Sequence, residues 1–505
     1  MTEFNAVINI TEEYNNLIYF AGVYNTQDAD IKFVACYNNS VYESNISENN
    51  HNFDFYIPFA GSGNIDFFIQ QENGELLLAK ISYAFPSRIN DLLHSFVIGD
   101  NTLITRIEKT NSLHVEALEY EKLCCAVNSY VNKNFDDKQY EEDKNIIQQY
   151  LMQYQVMSKK KIWLISDRPD RADDNAEYFF KYSVKVNDGI EKYFIVDENS
   201  PDVKRLEPFG NIVYHGSAQH KLLYLFADKF ISAHLHGRLS DICDKNLYAL
   251  YSGLDKCKTM FLQHGIILHD LAFWLKKTSQ NLKLLVTTSP YEYNSILESD
   301  YNYDKSVVKL TGMPRYDSLY NNNKRKILFV PTWRGHSSAN DLSDSQYCRV
   351  INKFLCDGKL IDEAKKHGYE ILFKPHPKYA NFAHSFEANE YVKMIDYDVS
   401  YQTLFAESSL LITDFSSTAF DFAYLKKPVI YYWFTDNLFK ESYFDYKTMG
   451  FGEVVDKHDV LLDMIIKYME NDCVMEEKYK QRVDNFFAYY DKNNTKRVYD
   501  EIIKM

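Results

Sequence analysis

The chain has 505 residues, 46 % of them hydrophobic, with 41 tyrosines and 34 phenylalanines, which argues against intrinsic disorder and exceeds what one hydrophobic core serves, so two to four domains are expected. The formal net charge of −15 argues against a nucleic-acid binder, which carries the opposite balance. Residues 1–100 hold 13 acidic side chains against 3 basic ones, so most of the excess lies there.

Along the chain, residues 1–115 read as a small β sandwich. NLIYFAGVY, IKFVACY and FDFYIPFA are aromatic, β-branched runs at short spacing, and NIDFFIQQENGELLLAKISYAF carries two strand-like runs around Asn73-Gly74, a strong hairpin signal. VEALEYEKLCCAVNSYV and YEEDKNIIQQYLMQYQVM follow with helical spacing and good helix formers, and serve as linker helices over 116–158. From Lys161 apolar strands alternate with helices, the pattern of parallel sheets covered on both faces. KIWLISD, KYFIVD, NIVYHG, KFISAHL, KTMFLQHG, LKLLVTTS and SVVKLTG form one set over 159–320, and KRKILFVPTW, YEILFKPHP, VKMID, LLITDFS and KPVIYYW a second over 321–505, with the polar YNNNKRK between them. The expected architecture is two doubly wound α/β domains with a ligand cleft at their strand C-termini.

No run of eighteen or more apolar residues is present, and the N-terminal MTEFNAVINITEE has no signal-peptide pattern. The eight cysteines are scattered with no CxxC pair, which points to reduced thiols in a cytoplasmic protein. Residues 270–286 mix Trp274 with Lys276, Lys277 and Lys283, a pattern that suits a helix packed on its own domain with solvated lysines better than contact with an anionic membrane surface.

Five strands end in titratable or hydroxyl-bearing clusters: Gln263-His264-Gly265, Gly312-Met313-Pro314-Arg315-Tyr316-Asp317, Pro331-Thr332-Trp333-Arg334, Lys374-Pro375-His376-Pro377 and Thr413-Asp414-Phe415-Ser416-Ser417. Such recurrence at one sheet edge marks an active site. The strand ending at Asp414 leads into a helix starting near Ser416–Thr418, whose first amides, with the hydroxyls of Ser416, Ser417 and Thr418, suit a phosphate; one of these residues also suits a plain N-cap. Prolines hold the backbone around Lys374 and His376 extended, and a fixed imidazole beside an ammonium suits charge stabilisation in phosphoryl transfer. Arg334 and Arg315 are candidates for a bidentate phosphate clamp or for an interdomain ion pair. No further ligands accompany the histidines of HLHG (234–237), so no metal is expected.

SDRPDRADDNAEYFF (166–180), QHG, TGMPRYDSL, PTWRG, KPHP and TDFSSTAFDFAYLKKPVIYY, in this order, resemble the CDP-glycerol glycerophosphotransferase family, which includes teichoic acid and capsule polymerases and primases. The resemblance covers roughly residues 160–490 and implies a GT-B fold, in which the second domain binds the CDP donor and the first faces the acceptor. It implies transfer of glycerol phosphate from CDP-glycerol to a hydroxyl of a lipid-linked or polymeric acceptor, with release of CMP at the inner face of the cell membrane and no metal cofactor. On this resemblance His264 is the general base and His376 stabilises charge on the donor diphosphate. Lys374, Arg334, Asp414, Ser416, Ser417 and Thr418 are implied donor contacts, with Asp421 a candidate for the ribose. Gln263, Gly265, Arg315 and Asp317 are acceptor-side or supporting positions. Phe415 stands where the family often has tyrosine. A CDP-ribitol donor suits the same motifs, and a CMP-sialic acid polysialyltransferase-like capsule enzyme is the more distant alternative.

Overall fold

Aromatic side chains on alternate positions of short strands build the first 118 residues into two sheets. The computed structural model describes residues 5–14, 17–25, 32–47, 51–71, 73–83, 94–98, 101–107, 112–134, 138–243, 251, 254, 256–336, 338–387, 389–397, 399–435 and 442–505. One sheet has the order Asn45–Ser47, Asn52–Pro58, Leu17–Asn25, Asn5–Tyr14, Lys80–Tyr83. The other runs His94–Ile98, Asn101–Ile107, Leu113–Leu118, Gly63–Gln70, Lys32–Tyr37, Ser40–Glu43, with Leu76–Leu78 also on Gly63–Gln70. That last pairing (Phe68 opposite Leu78, Gln70 opposite Leu76) is the hairpin signalled by Asn73-Gly74, and Gly74 takes the left-handed φ of +82° that its turn needs. Phe20, Phe33, Phe53, Phe55 and Phe67, from both sheets, form one buried core with edge-to-face and stacked rings.

Residues 115–118, read from sequence as the start of a helix, are instead the end of strand Leu113–Leu118. Ala117 pairs with Leu103, and Val115 is buried in the sandwich core, so sheet pairing overrides helix propensity there. The helix begins at Tyr120 and runs to Asn134; a second spans Glu141–Met157.

Contacts group the chain into two compact units. One comprises residues 1–262, 274–285 and 300–307, the other residues 263–273, 286–299 and 308–505. In the first, parallel strands follow the order Asn211–Tyr214, Glu191–Val196, Ile162–Ser166, Lys229–Ser232, Lys258–Phe261, Leu284–Thr287. The helices 120–134 and 141–157 bury Leu123, Val127, Ile147 and Tyr150 against Ile162 and Leu164 on one face of that sheet. In the second, the order is Val392–Met394, Glu370–Phe373, Lys326–Val330, Ser408–Thr413, Val429–Tyr432, Gly452–Val455, all parallel. Ile327 and Phe329 point into one core and Leu328 and Val330 into another, the two-faced burial of a doubly wound sheet. Residues 270–286 form two short helices, Ala272–Leu275 and Lys277–Gln280, rather than one amphipathic helix. Among the described residues no helix is long and apolar enough to cross a membrane.

Candidate active site

The second sheet reverses its winding between Lys326–Val330 and Ser408–Thr413, and doubly wound sheets bind ligands outside the strand ends at such a reversal. The two segments that leave there are Pro331–Arg334 and Asp414–Thr418, and Asp414 ties them together. Its carboxylate accepts from Thr332 N (3.0 Å to Oδ1), Thr332 Oγ1 (2.9 Å), Phe415 N (2.8 Å) and Arg334 Nη2 (2.7 Å). Arg334 also donates from Nε to Thr435 Oγ1 (2.9 Å) and from Nη1 to Thr332 Oγ1. With Arg334 at 6 % and Asp414 at 1 % side-chain exposure, this is a buried pair that fixes two loops. Both side chains hydrogen-bond protein partners, Arg334 in an ion pair within the second unit.

Lys374 ends the neighbouring strand and is buried, its ammonium donating to the carbonyls of Asp396 (2.9 Å) and Val399 (3.2 Å). It too braces a loop. His376, two residues on, is half-buried and caps the 3₁₀ segment Pro377–Ser385, its Nδ1 accepting from the Lys378 amide at 3.2 Å. With Nδ1 an acceptor, the proton of the neutral ring sits on Nε2, which makes that nitrogen a donor.

Helix Thr418–Tyr424 starts directly after the serines. Ser416 Oγ accepts from Thr418 N (3.2 Å) and from Thr418 Oγ1 (2.9 Å), whereas Ser417, at the N-cap position, makes no side-chain capping bond. The Gln263-His264-Gly265 turn packs on this loop: a Cβ on Gly265 would lie 2.5 Å from Ser417 Oγ and 3.2 Å from Ser417 Cβ. Any larger residue at 265 would require the Ser417 side chain to move. His264 is exposed, and its carbonyl accepts from Arg315 Nη1 at 3.1 Å. Read from sequence as part of the first domain, this turn belongs to the second unit, where Ile266 and Leu268 join Met313, Tyr316 and Phe420 in one core.

Arg315 donates from Nε and Nη2 to the two oxygens of Asp421 (2.6 and 2.9 Å), and both side chains are buried. Arg315 thus makes an ion pair with Asp421, within the second unit rather than between domains. Asp317 accepts from Asn494 N (2.9 Å) and Thr495 N (2.8 Å), which makes it the cap of the C-terminal helix Asn494–Ile502.

Sequence reading missed Glu292. It lies in the first turn of helix Pro290–Glu298, fully buried, and accepts from Ile267 N (2.8 Å), Gln263 Nε2 (3.2 Å), Thr288 N (2.8 Å) and Thr288 Oγ1 (3.0 Å). Burial pushes its acid up to about 7. The only signal was Ser289-Pro290-Tyr291-Glu292, which reads as an ordinary helix start.

The first unit's sheet differs at the equivalent place. Asp167, fully buried, accepts from the amides of Asp174, Ala176 and Glu177 at the start of helix Asn175–Ser183. The anion position of that helix is occupied by the chain's own carboxylate. Among the described residues no group of three His, Cys, Asp or Glu side chains is placed to hold a metal ion.

Comparison with known proteins places the chain in a family. The chain is 37 % identical over 481 residues to the minor teichoic acid biosynthesis protein GgaB of Bacillus subtilis (strain 168), covering 88 % of this chain and 52 % of that protein. It is 28 % identical over 212 residues to a teichoic acid glycerol-phosphate transferase of Staphylococcus aureus (strain NCTC 8325 / PS 47), covering 38 % of this chain and 52 % of that protein. The chain thus spans about half the length of the curated relatives it matches. The fold is similar to that of a solved variant of the wall teichoic acid polymerase TagF, with a TM-score of 0.55 at 18 % identity over 75 % of this chain and 97 % of that one, which agrees with the GT-B type. Residues 148–504 match the family described as CDP-Glycerol:Poly(glycerophosphate) glycerophosphotransferase, and the chain belongs to that family.

Proposed function

We propose that this chain transfers glycerol phosphate from CDP-glycerol to a hydroxyl of a lipid-linked or polymeric acceptor, releasing CMP, in the synthesis of a teichoic acid or capsule-type polymer. Family membership supports the donor class. The observation that carries the site assignment is the approach of the Gln263-His264-Gly265 turn to Ser417, which sets an exposed imidazole one residue from an uncapped serine hydroxyl.

In this reading Ser416, Ser417 and Thr418 hold the donor phosphate, and the His376 Nε2–H donates to the diphosphate, where negative charge grows on the departing CMP. The acceptor hydroxyl loses its proton to the His264 ring as its oxygen bonds to the distal phosphorus. The bond from that phosphorus to the bridging oxygen breaks, and CMP leaves with the electron pair. Asp414, Arg334, Lys374, Arg315 and Asp421 keep the loops in register through the buried pairs and carbonyl contacts described above. Because Asp414, Asp421 and Asp317 are engaged by protein donors, charge neutralisation by imidazole and hydroxyl groups rather than by a divalent ion is part of the proposal. Action at the cytoplasmic membrane surface is also part of it, supported by Phe273, which is 78 % exposed and is followed in sequence by Trp274, Lys276 and Lys277.

The test is CMP release from CDP-glycerol, CDP-ribitol and CMP-sialic acid, each with and without a short poly(glycerol phosphate) primer and with and without EDTA. Primer-dependent, EDTA-resistant release from CDP-glycerol, lost in His376→Ala, is expected. Turnover of CMP-sialic acid alone would overturn the reading, and turnover of CDP-ribitol alone would reassign the donor.

A further inference from the structure

The turn that carries His264 is pinned at both ends by one carboxylate. Glu292 stands three residues beyond the N-cap Ser289, the position from which a capping box returns a side chain to the N-cap amide. Its carboxylate turns elsewhere: Oε1 accepts from Gln263 Nε2 and Ile267 N, and Oε2 from Thr288 N and Thr288 Oγ1. Gln263 also donates to the Val286 carbonyl and holds a left-handed φ of +61°, unusual for a residue with a side chain. His264 lies between the two pinned residues, and Arg315 grips its carbonyl from the other side.

We propose that Glu292 is a positioning residue for His264, holding the Gln263–Ile267 turn in the one conformation that presents the imidazole beside the Ser416-Ser417 loop; this rests on the reading of His264 as general base. Four groups converge on Glu292: its two oxygens accept from the Ile267 amide, Gln263 Nε2 and the Thr288 amide, and the fourth contact, with Thr288 Oγ1, is kept in the acid form by the carboxyl proton being donated to that hydroxyl. A glutamine there offers one oxygen, and its amide nitrogen finds an acceptor only at Thr288 Oγ1, because Ile267 N and Gln263 Nε2 only donate. The groups that face the carboxylate are Gln263, the Ile267 amide, Thr288 and, from the Pro314–Ser318 segment, Tyr316, beside which Arg315 is neutralised by Asp421. Among the described residues no cation is paired with Glu292, and its hold on the turn is through directed hydrogen bonds.

The test is a double-mutant cycle with His264→Ala, read as kcat for CMP release from CDP-glycerol. Glu292→Ala is expected to lower kcat about 10²-fold with KM for the donor little changed, the cost of misplacing a catalytic group by about 1 Å. In the His264→Ala background the same change is expected to cost nothing further. Losses that simply multiply, or a KM that rises in step, would overturn the proposal. Should Glu292→Ala not fold, Glu292→Asp, one methylene short of spanning both ends of the turn, runs the same cycle with an expected loss of about tenfold. Amide exchange supplies a readout independent of turnover. The Ile267 amide is expected to exchange at least about tenfold faster in Glu292→Ala or Glu292→Asp, and to stay protected in Glu292→Gln, where the Thr288 amide exchanges faster instead. A wild-type chain that releases no CMP from any donor would remove the functional reading, while the exchange pattern still decides whether Glu292 holds the turn; unchanged Ile267 exchange would overturn it.

Discussion

Gly265→Ala perturbs the closest approach in the proposed site and nothing else nearby. The added methyl would lie 2.5 Å from Ser417 Oγ and 3.2 Å from Ser417 Cβ, against ordinary contact from 3.4 Å upward. The hydroxyl overlap is thus about 0.9 Å and the Cβ overlap only about 0.2 Å, so rotating Ser417 about χ1 relieves most of the clash. The stability cost is on the order of 1 kcal/mol, a fall of a few degrees in Tm. The chemical cost is larger, because the hydroxyl proposed to hold the donor phosphate turns away or the His264 turn lifts by about 1 Å, a displacement that lowers rates about 10²-fold. Initial rates of CMP release, with thermal melting as a control, measure both. In a Ser417→Ala background the new methyl meets no hydroxyl, so its further effect on rate should shrink to within a few-fold. A Gly265→Ala enzyme with wild-type rates, or one whose loss is the same in both backgrounds, would refute the contact's role.

Other outcomes follow from the buried polar groups. Arg315→Ala leaves Asp421 buried without its bidentate partner and should cost about 3–5 kcal/mol in urea unfolding, with Arg315→Lys intermediate because an ammonium cannot reproduce the fork. Glu292 has a folded-state pKa of about 7 against 4.5 unfolded, so the folded protein holds its proton more tightly. Its contribution to stability is therefore full below pH 4.5 and lost as pH rises to about 7, and the wild type should lose ground against Glu292→Gln across that window in urea midpoints. Asp317→Ala removes the cap on helix Asn494–Ile502 and should cost about 0.5–2 kcal/mol, read as a fall in Tm.

Strand positions and the polar clusters at strand ends were legible because period and composition are local. The second sheet's apolar runs appear where ILFV, EILF and LLIT indicate, and the hairpin around Asn73-Gly74 follows from two residues. What each polar side chain touches was not legible, because the partners are far apart in the chain. Arg315 and Asp421 are 106 positions apart, and Asp317 reaches Asn494 across 177. An arginine beside a phosphate motif reads the same whether it faces a ligand or a buried aspartate, and Arg334, Lys374 and Asp421 all face protein groups. Glu292 was hidden by resembling a helix start, and only the fold reveals that its carboxylate turns to residues 263 and 267. Residues 115–118 of strand Leu113–Leu118 were read as helix because Glu116, Ala117 and Leu118 are good helix formers, and the strand they pair with, Asn101–Ile107, lies upstream.

The central claim is tested most directly by the mass of a poly(glycerol phosphate) primer incubated with the purified chain and CDP-glycerol, followed together with CMP by chromatography. The account predicts that the primer gains one glycerol phosphate for each CMP released, and that His264→Ala abolishes both while the protein stays folded. CMP formed with no growth of any primer, or growth undiminished in His264→Ala, would contradict it.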